Sequence, residues 1–196
     1  MTADFCDDFE GAVSFLDVKT KWGPDNASDT AWGFTAGRNS RQAVRAQGAQ
    51  VSPESFEARL RHTLGSVSKG ELELRFDVRV TSCDECELAR VAVLNGSGGN
   101  VDSLSLRLRS SGLELSHGAD RLGESWPVLP VGLWATVRLT SSSAGITLSV
   151  DQGQAFNHPA TALSSGVRAQ LSVGPYRTQQ GPTIDVAYDN VAVRSR

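Results

Sequence analysis

The sequence predicts an all-β fold of two packed antiparallel sheets. Three observations carry this: apolar and polar side chains alternate with a period of two, turn residues separate the alternating runs, and no sustained 3.6-residue stripe is present. The chain opens on an acidic stretch, Asp7-Asp8-Phe9-Glu10-Gly11, followed by Trp22. In the first alternating run Phe56, Ala58, Leu60, His62 and Leu64 share one face and Glu57, Arg59 and Arg61 the other. In the next, Leu72, Leu74, Phe76 and Val78 lie opposite Glu71, Glu73, Arg75, Asp77 and Arg79. Leu104, Leu106 and Leu108 then alternate with Ser103, Ser105, Arg107 and Arg109. Ile146, Leu148 and Val150 alternate with Thr147, Ser149 and Asp151, and Val167, Ala169, Leu171 and Val173 with Arg168, Gln170 and Ser172.

Each run buries one face and wets the other, the mark of antiparallel sheets rather than of βαβ units. Gly65-Ser66, Asn95 to Asn100, Ser110-Ser111-Gly112, Ser141 to Gly145 and Asp151-Gln152-Gly153 supply the turns. Helix is expected only as a single turn near Ala160 to Ser165. At the end of the chain Ile184, Val186 and Tyr188 share one parity, whereas Val191 and Val193 share the other. Keeping all five inward requires an extra residue near Asp189-Asn190, a β-bulge. The first and last strands are then free to meet and close the sheet. No composition shift or repeat divides the chain, so residues 1–196 read as one domain.

With 196 residues, 39% hydrophobic and 21% charged, the chain is long enough to bury a core and too polar for a membrane span. A net charge of −3 and a pI near 5.6 argue against a nucleic-acid partner. Met1 to Asp4 carry no signal-peptide pattern, so the protein is either cytosolic or exported with its signal segment absent from this sequence. Cys83-Asp84-Glu85-Cys86 is a C-x-x-C. Zinc would need two further ligands, and His62, His117 and His158 stand singly. A redox pair would want a helix N-terminus, but strand-like sequence flanks this one. A structural disulfide in an exported protein remains, either Cys83 with Cys86 or one of them with Cys6.

Four motifs in order resemble the concanavalin A-like jelly rolls, which include laminin G-like domains and laminarinase-type β-glucanases. They are Asp8-Phe9-Glu10-Gly11 with Trp22, Gly70 to Val78, Trp134 to Leu139 with Ile146 to Asp151, and Asp189 to Val193. The resemblance covers nearly the whole chain and implies a two-sheet antiparallel jelly-roll β-sandwich.

The glucanases carry their catalytic acids as E-x-D-x-x-E on one strand, which falls here on Val101 to Arg109. That strand has no acid at the solvent parity, and the row Glu71, Glu73, Asp77 reads as a salt-bridged surface. No Ser/His/Asp or Cys/His arrangement has local support, and Gly96 to Gly99 reads as a hairpin loop rather than a phosphate cradle. The resemblance further implies one structural Ca²⁺ where the terminal strands meet, held by Asp8, Glu10 and Asp189. For a sugar ligand the candidate residues are Trp126 as the stacking aromatic, with Arg107, Arg109, Tyr176 and Arg177 along one concave surface. Trp22, Trp32 and Trp134 read as packing residues.

The expectation is a non-catalytic, lectin-like module of an exported bacterial protein, binding a glycan or a cell-surface partner. The bacterial source rests on the resemblance and on an arginine bias, since only Lys19, Lys21 and Lys69 among the 19 basic residues are lysine. The competing expectations are a glycoside hydrolase or polysaccharide lyase relative, and a protein–protein interaction domain.

Overall fold

Strands with one apolar face are stable only when two such faces meet, and the alternating runs meet here as two sheets. The computed structural model describes residues 4–26, 32–48, 56–66, 71–123, 128–151, 153, 156–159, 162–177 and 183–195. Among them an eight-stranded sheet runs in the order β13 (Phe156–His158), β12 (Gly145–Val150), β11 (Trp134–Ser142), β6 (Leu72–Ser82), β15 (Ile184–Ser195), β4 (Ala43–Gly48) and β3 (Trp32–Thr35). The short β1 (Phe5–Asp7) adds to β15. The seven-stranded sheet runs β10 (Asp120–Gly123), β9 (Gly112–His117), β8 (Asn100–Arg109), β7 (Cys86–Leu94), β14 (Arg168–Arg177), β5 (Phe56–Leu64) and β2 (Pro24–Asn26).

The inward faces are those the alternation assigns. Leu74, Phe76, Val137, Leu148, Val186 and Val193 from one sheet are buried with Leu60, Val91, Leu104, Leu106, Leu115 and Leu171 from the other. Each such side chain contributes about 1.5–3 kcal/mol when taken out of water. Tyr188 ties the layers by a polar contact. Its hydroxyl donates to the Leu88 carbonyl at 3.0 Å, and full burial pushes the phenol far above its ordinary pKa.

The bulge expected near Asp189-Asn190 is present. The β15–β6 register shifts between Asp189 and Ala192, Asn190 takes φ 49°, and all five apolar residues of β15 are buried. The chain ends meet, with Phe5, Cys6 and Asp7 opposite Val193, Ala192 and Val191.

Two expectations need correction. Residues 162–165 form no helix, and 160–161 lie outside the described residues. The helix is instead α1 (Phe15–Trp22), where none was expected. The Asp17 carboxylate accepts from the Val13 and Ser14 amides, both at 2.8 Å, and these backbone bonds hold its pKa below the usual value. Gly23 ends the helix in the left-handed region, donating to the Lys19 carbonyl at 2.8 Å. The helix buries only Val18 and Trp22, one turn apart, which is too few positions to form a stripe. The Trp22 indole N–H donates to the buried Asp7 carboxylate at 2.6 Å, pinning α1 to β1.

Candidate functional site

On β8 the parity that buries Leu104, Leu106 and Leu108 sends Ser103, Ser105, Arg107 and Arg109 to the opposite face of the sheet. Antiparallel register extends that outward face across the neighbouring strands. Arg121, Ser116, Ser105, Arg90, Ser172 and Arg61 stand opposite one another in turn, on β10, β9, β8, β7, β14 and β5. With strands spaced ~4.8 Å apart, this transverse row is about 24 Å long. Its floor is recessed: Ser103, Ser105 and Ser172 face away from the core yet are only 4%, 9% and 5% exposed. Arginines therefore rise from a serine floor, around hollows of about 380 Å³ beside Arg107 and Arg121 and about 240 Å³ beside Arg61 and Arg90.

The charges of the row are answered at two places, Arg61 by Glu57 at 3.1 Å and Arg121 by Glu114. Burial first, then repulsion from Arg90, lowers the pKa of the Arg61 guanidinium, although Glu87 opposes this. Arg90 has a buried Nε with no hydrogen-bond partner and a 3.4 Å contact from Nη2 to the Ser103 hydroxyl. Arg107 has no ion-pair or hydrogen-bond partner among the described residues.

A second row lies beside the first, formed by Glu114, Arg107, Glu87, Tyr176 and Glu57. Its carboxylates are held by guanidinium groups. Arg59 reaches Glu87 at 2.6 Å and Glu57 at 3.4 Å, and its plane lies 4.1 Å over the Tyr176 ring. Glu114 accepts from Arg109 at 3.2 Å and pairs with Arg121. Burial would raise Glu114, but these two arginines outweigh it and keep its carboxyl below the usual range.

Of the residues expected to bind sugar, Arg107, Arg109 and Tyr176 share this face. Arg109 is engaged by Glu85 and Glu114. Arg177 is a correction: it takes the opposite parity to Tyr176 and is buried, and burial lowers its guanidinium pKa despite the nearby Asp84. Trp126 lies outside the described residues. Trp22 and Trp32 are buried, and Trp134 is half-buried under Arg79, whose guanidinium sits 5.0 Å from its ring.

The carboxylate row across the groove was not expected, because it draws one acid from each of β5, β7 and β9. Of the acids singled out from the sequence, on the other sheet, Glu73 pairs with Arg138 at 3.0 Å as a surface pair, whereas Asp77 is buried and bonds Arg38 at 3.3 Å. Cys83 and Cys86 are bonded to each other, and Cys6 is a free, exposed thiol.

The acids expected at calcium each have another partner. Asp8 accepts from the Glu10 amide at 3.2 Å, and Glu10 from the Gln42 amide at 2.9 Å. The buried Asp189 accepts from the Ser40 hydroxyl at 2.6 Å, the Arg38 amide at 2.9 Å and the Asn190 amide at 2.8 Å. A cation at Asp189 would have to displace those donors. No three acid, histidine or cysteine side chains group as a metal site among the described residues. As placed, these side chains do not fit calcium.

The fold is a concanavalin A-like jelly roll. The sequence matches no described protein family and no curated protein. Solved structures similar to this chain include the cellulose-induced protein Cip1, at 14% identity and TM-score 0.68 over 98% of this chain and 97% of the other. A Bacteroides ovatus glycoside hydrolase of family 16, solved with an oligosaccharide product, gives 9% identity and TM-score 0.68 over 96% and 99%. An alginate lyase of polysaccharide lyase family 7 gives 15% identity and TM-score 0.55 over 86% and 83%. At these identities the likeness concerns the fold alone.

Proposed function

We propose that this protein is a non-catalytic, lectin-like module that lays an acidic glycan across the outer face of its seven-stranded sheet. The observation that carries the reading is the Arg121–Ser116–Ser105–Arg90–Ser172–Arg61 row. Guanidinium forks match carboxylates bidentately, and short hydroxyl side chains between them leave room for a chain and bond to its hydroxyls. Tyr176 supplies the aromatic surface at the edge of the row. The carbohydrate-active names among similar folds support a saccharide as the ligand. The Cys83–Cys86 disulfide supports an oxidising compartment, hence an exported protein acting outside the cell or at its surface.

A glycan array bearing neutral and uronate-containing oligosaccharides tests the reading. Signal confined to the acidic members and retained in EDTA is expected; signal on neutral glycans alone, or none, would sink it. One observation favours the competing enzymatic reading, the titratable row Glu114, Glu87, Tyr176 and Glu57 beside the arginines. Shortening of an acidic polysaccharide by the purified protein, lost in Tyr176→Phe, would move the assignment to a hydrolase or lyase.

A further inference from the structure

The outer face of the eight-stranded sheet bears a wider hollow, of about 750 Å³, over β6, β11, β12 and β15. Register places Ser149, Arg138, Arg75, Ala192 and Cys6 in one transverse row beneath it. Arg138 and Arg75 are directly opposed, and like charges in that position cost stability unless each is answered. Arg138 is answered by Glu73, and Arg38, at the rim, by Asp77 at 3.3 Å and Asp151 at 3.1 Å. Arg75 has no hydrogen-bond or ion-pair partner among the described residues, and neither has Arg194, the next outward residue past Ala192, whose cross-strand neighbour Glu73 is engaged by Arg138. Both are exposed. The small Ala192 leaves the gap open between two unanswered guanidinium groups.

We propose that this hollow is a second binding site, taking an acidic sugar oligomer with a carboxylate between Arg75 and Arg194 and a hydroxyl towards Ser149. The charge excess calls for an oxyanion, and the fork of arginine favours a planar carboxylate. The volume lies in the ~300–1,000 Å³ range of ligand sites and far exceeds one small ion, so the acid belongs to a larger, hydroxyl-bearing molecule. The site stands or falls on residues of the sheet opposite the serine-floored groove. With both faces occupied, one molecule holds two glycan segments on opposite sides of the sandwich.

Cys6, the free thiol, supplies a readout confined to this face, since only Ala192 separates it from Arg75 in the row. Alkylation of Cys6 by uncharged iodoacetamide is followed by mass spectrometry. A galacturonate hexamer at ten times its dissociation constant is expected to slow the reaction about tenfold. Cellohexaose is expected to leave it unchanged. Arg75→Gln/Arg194→Gln abolishes the protection, whereas Arg61→Gln/Arg90→Gln on the other sheet retains it. No slowing by the hexamer, or slowing that survives Arg75→Gln/Arg194→Gln, overturns the site. Equal slowing by inorganic phosphate at matched ionic strength overturns its assignment to an acidic sugar.

Discussion

Two charged regions of the sandwich, one around Asp77 and Asp189 and the other along the serine-floored row, are built from similar residues put to different uses. Around Asp77 and Asp189 on the eight-stranded sheet, every charge is a tie. Arg38 bonds Asp77, Thr136 and Asp151 through its guanidinium and Asp189 through its amide, lacing a loop to β6, β11 and β15. On the seven-stranded sheet serines separate the arginines, and Arg61 and Arg90 repel across Ser172. Charge count does not distinguish the two regions. The pairing and spacing of the charges do: carboxylates engage the Arg38 guanidinium, whereas serine beside Arg90 leaves space that a ligand can fill.

If the first region is structural, disrupting it should cost stability and spare binding. Asp189→Ala leaves the Ser40 hydroxyl and two backbone amides without their acceptor. A loss of about 3 kcal/mol is expected, or roughly 6–12 °C in melting temperature for a chain of this size. An unchanged melting temperature would dissolve the contrast between the two regions. On the groove side, Gly174 sits in the β14 register shift at φ 127°, and an added Cβ would press on the Ala58 carbonyl. Gly174→Ala should cost about 2 kcal/mol and also displace Tyr176, so it should lower both stability and affinity.

Acid sharpens the comparison further. Burial raises the Asp102 carboxyl, but the Ser164 amide and His117 outweigh it and, as with Glu114, leave the folded pKa below the ordinary value. A lowered folded pKa contributes stability that is complete above the unfolded value of about 4 and is lost as pH falls through the folded one. Urea midpoints should therefore fall off below about pH 4, and Glu114→Gln should flatten that limb. The smallest expected effect is that of EDTA. Protein donors already occupy the Asp189 carboxylate, so chelation should leave the melting curve in place; a fall of several degrees would restore calcium to that site.

The legible parts of the fold were those with local periodicity. Alternation identifies β5, β6 and β8, and the parity break at Asp189-Asn190 locates the bulge without any partner strand. Helix α1 escaped because it buries two residues, although Ser14, Asp17 and Gly23 spell out its ends. The groove was half legible. Arg107, Arg109 and Tyr176 could be placed on one face by parity, but Arg61, Arg90 and Arg121 join them only through a register spanning six strands. Arg177 misled because it follows Tyr176 directly in β14, and consecutive strand residues take opposite faces, so one points outward and the other is buried. Single-strand patterns report which face a residue takes, and not which residues stand beside it across the sheet.

The most direct test is isothermal titration of a uronate hexamer into the wild-type protein and into Arg61→Gln/Arg90→Gln, with melting curves in parallel. Each guanidinium–carboxylate contact is worth about 1.5–3 kcal/mol, so the double variant should weaken the groove component at least tenfold, with an unchanged melting temperature. Equal affinity in the two proteins would contradict a glycan lying across the seven-stranded face.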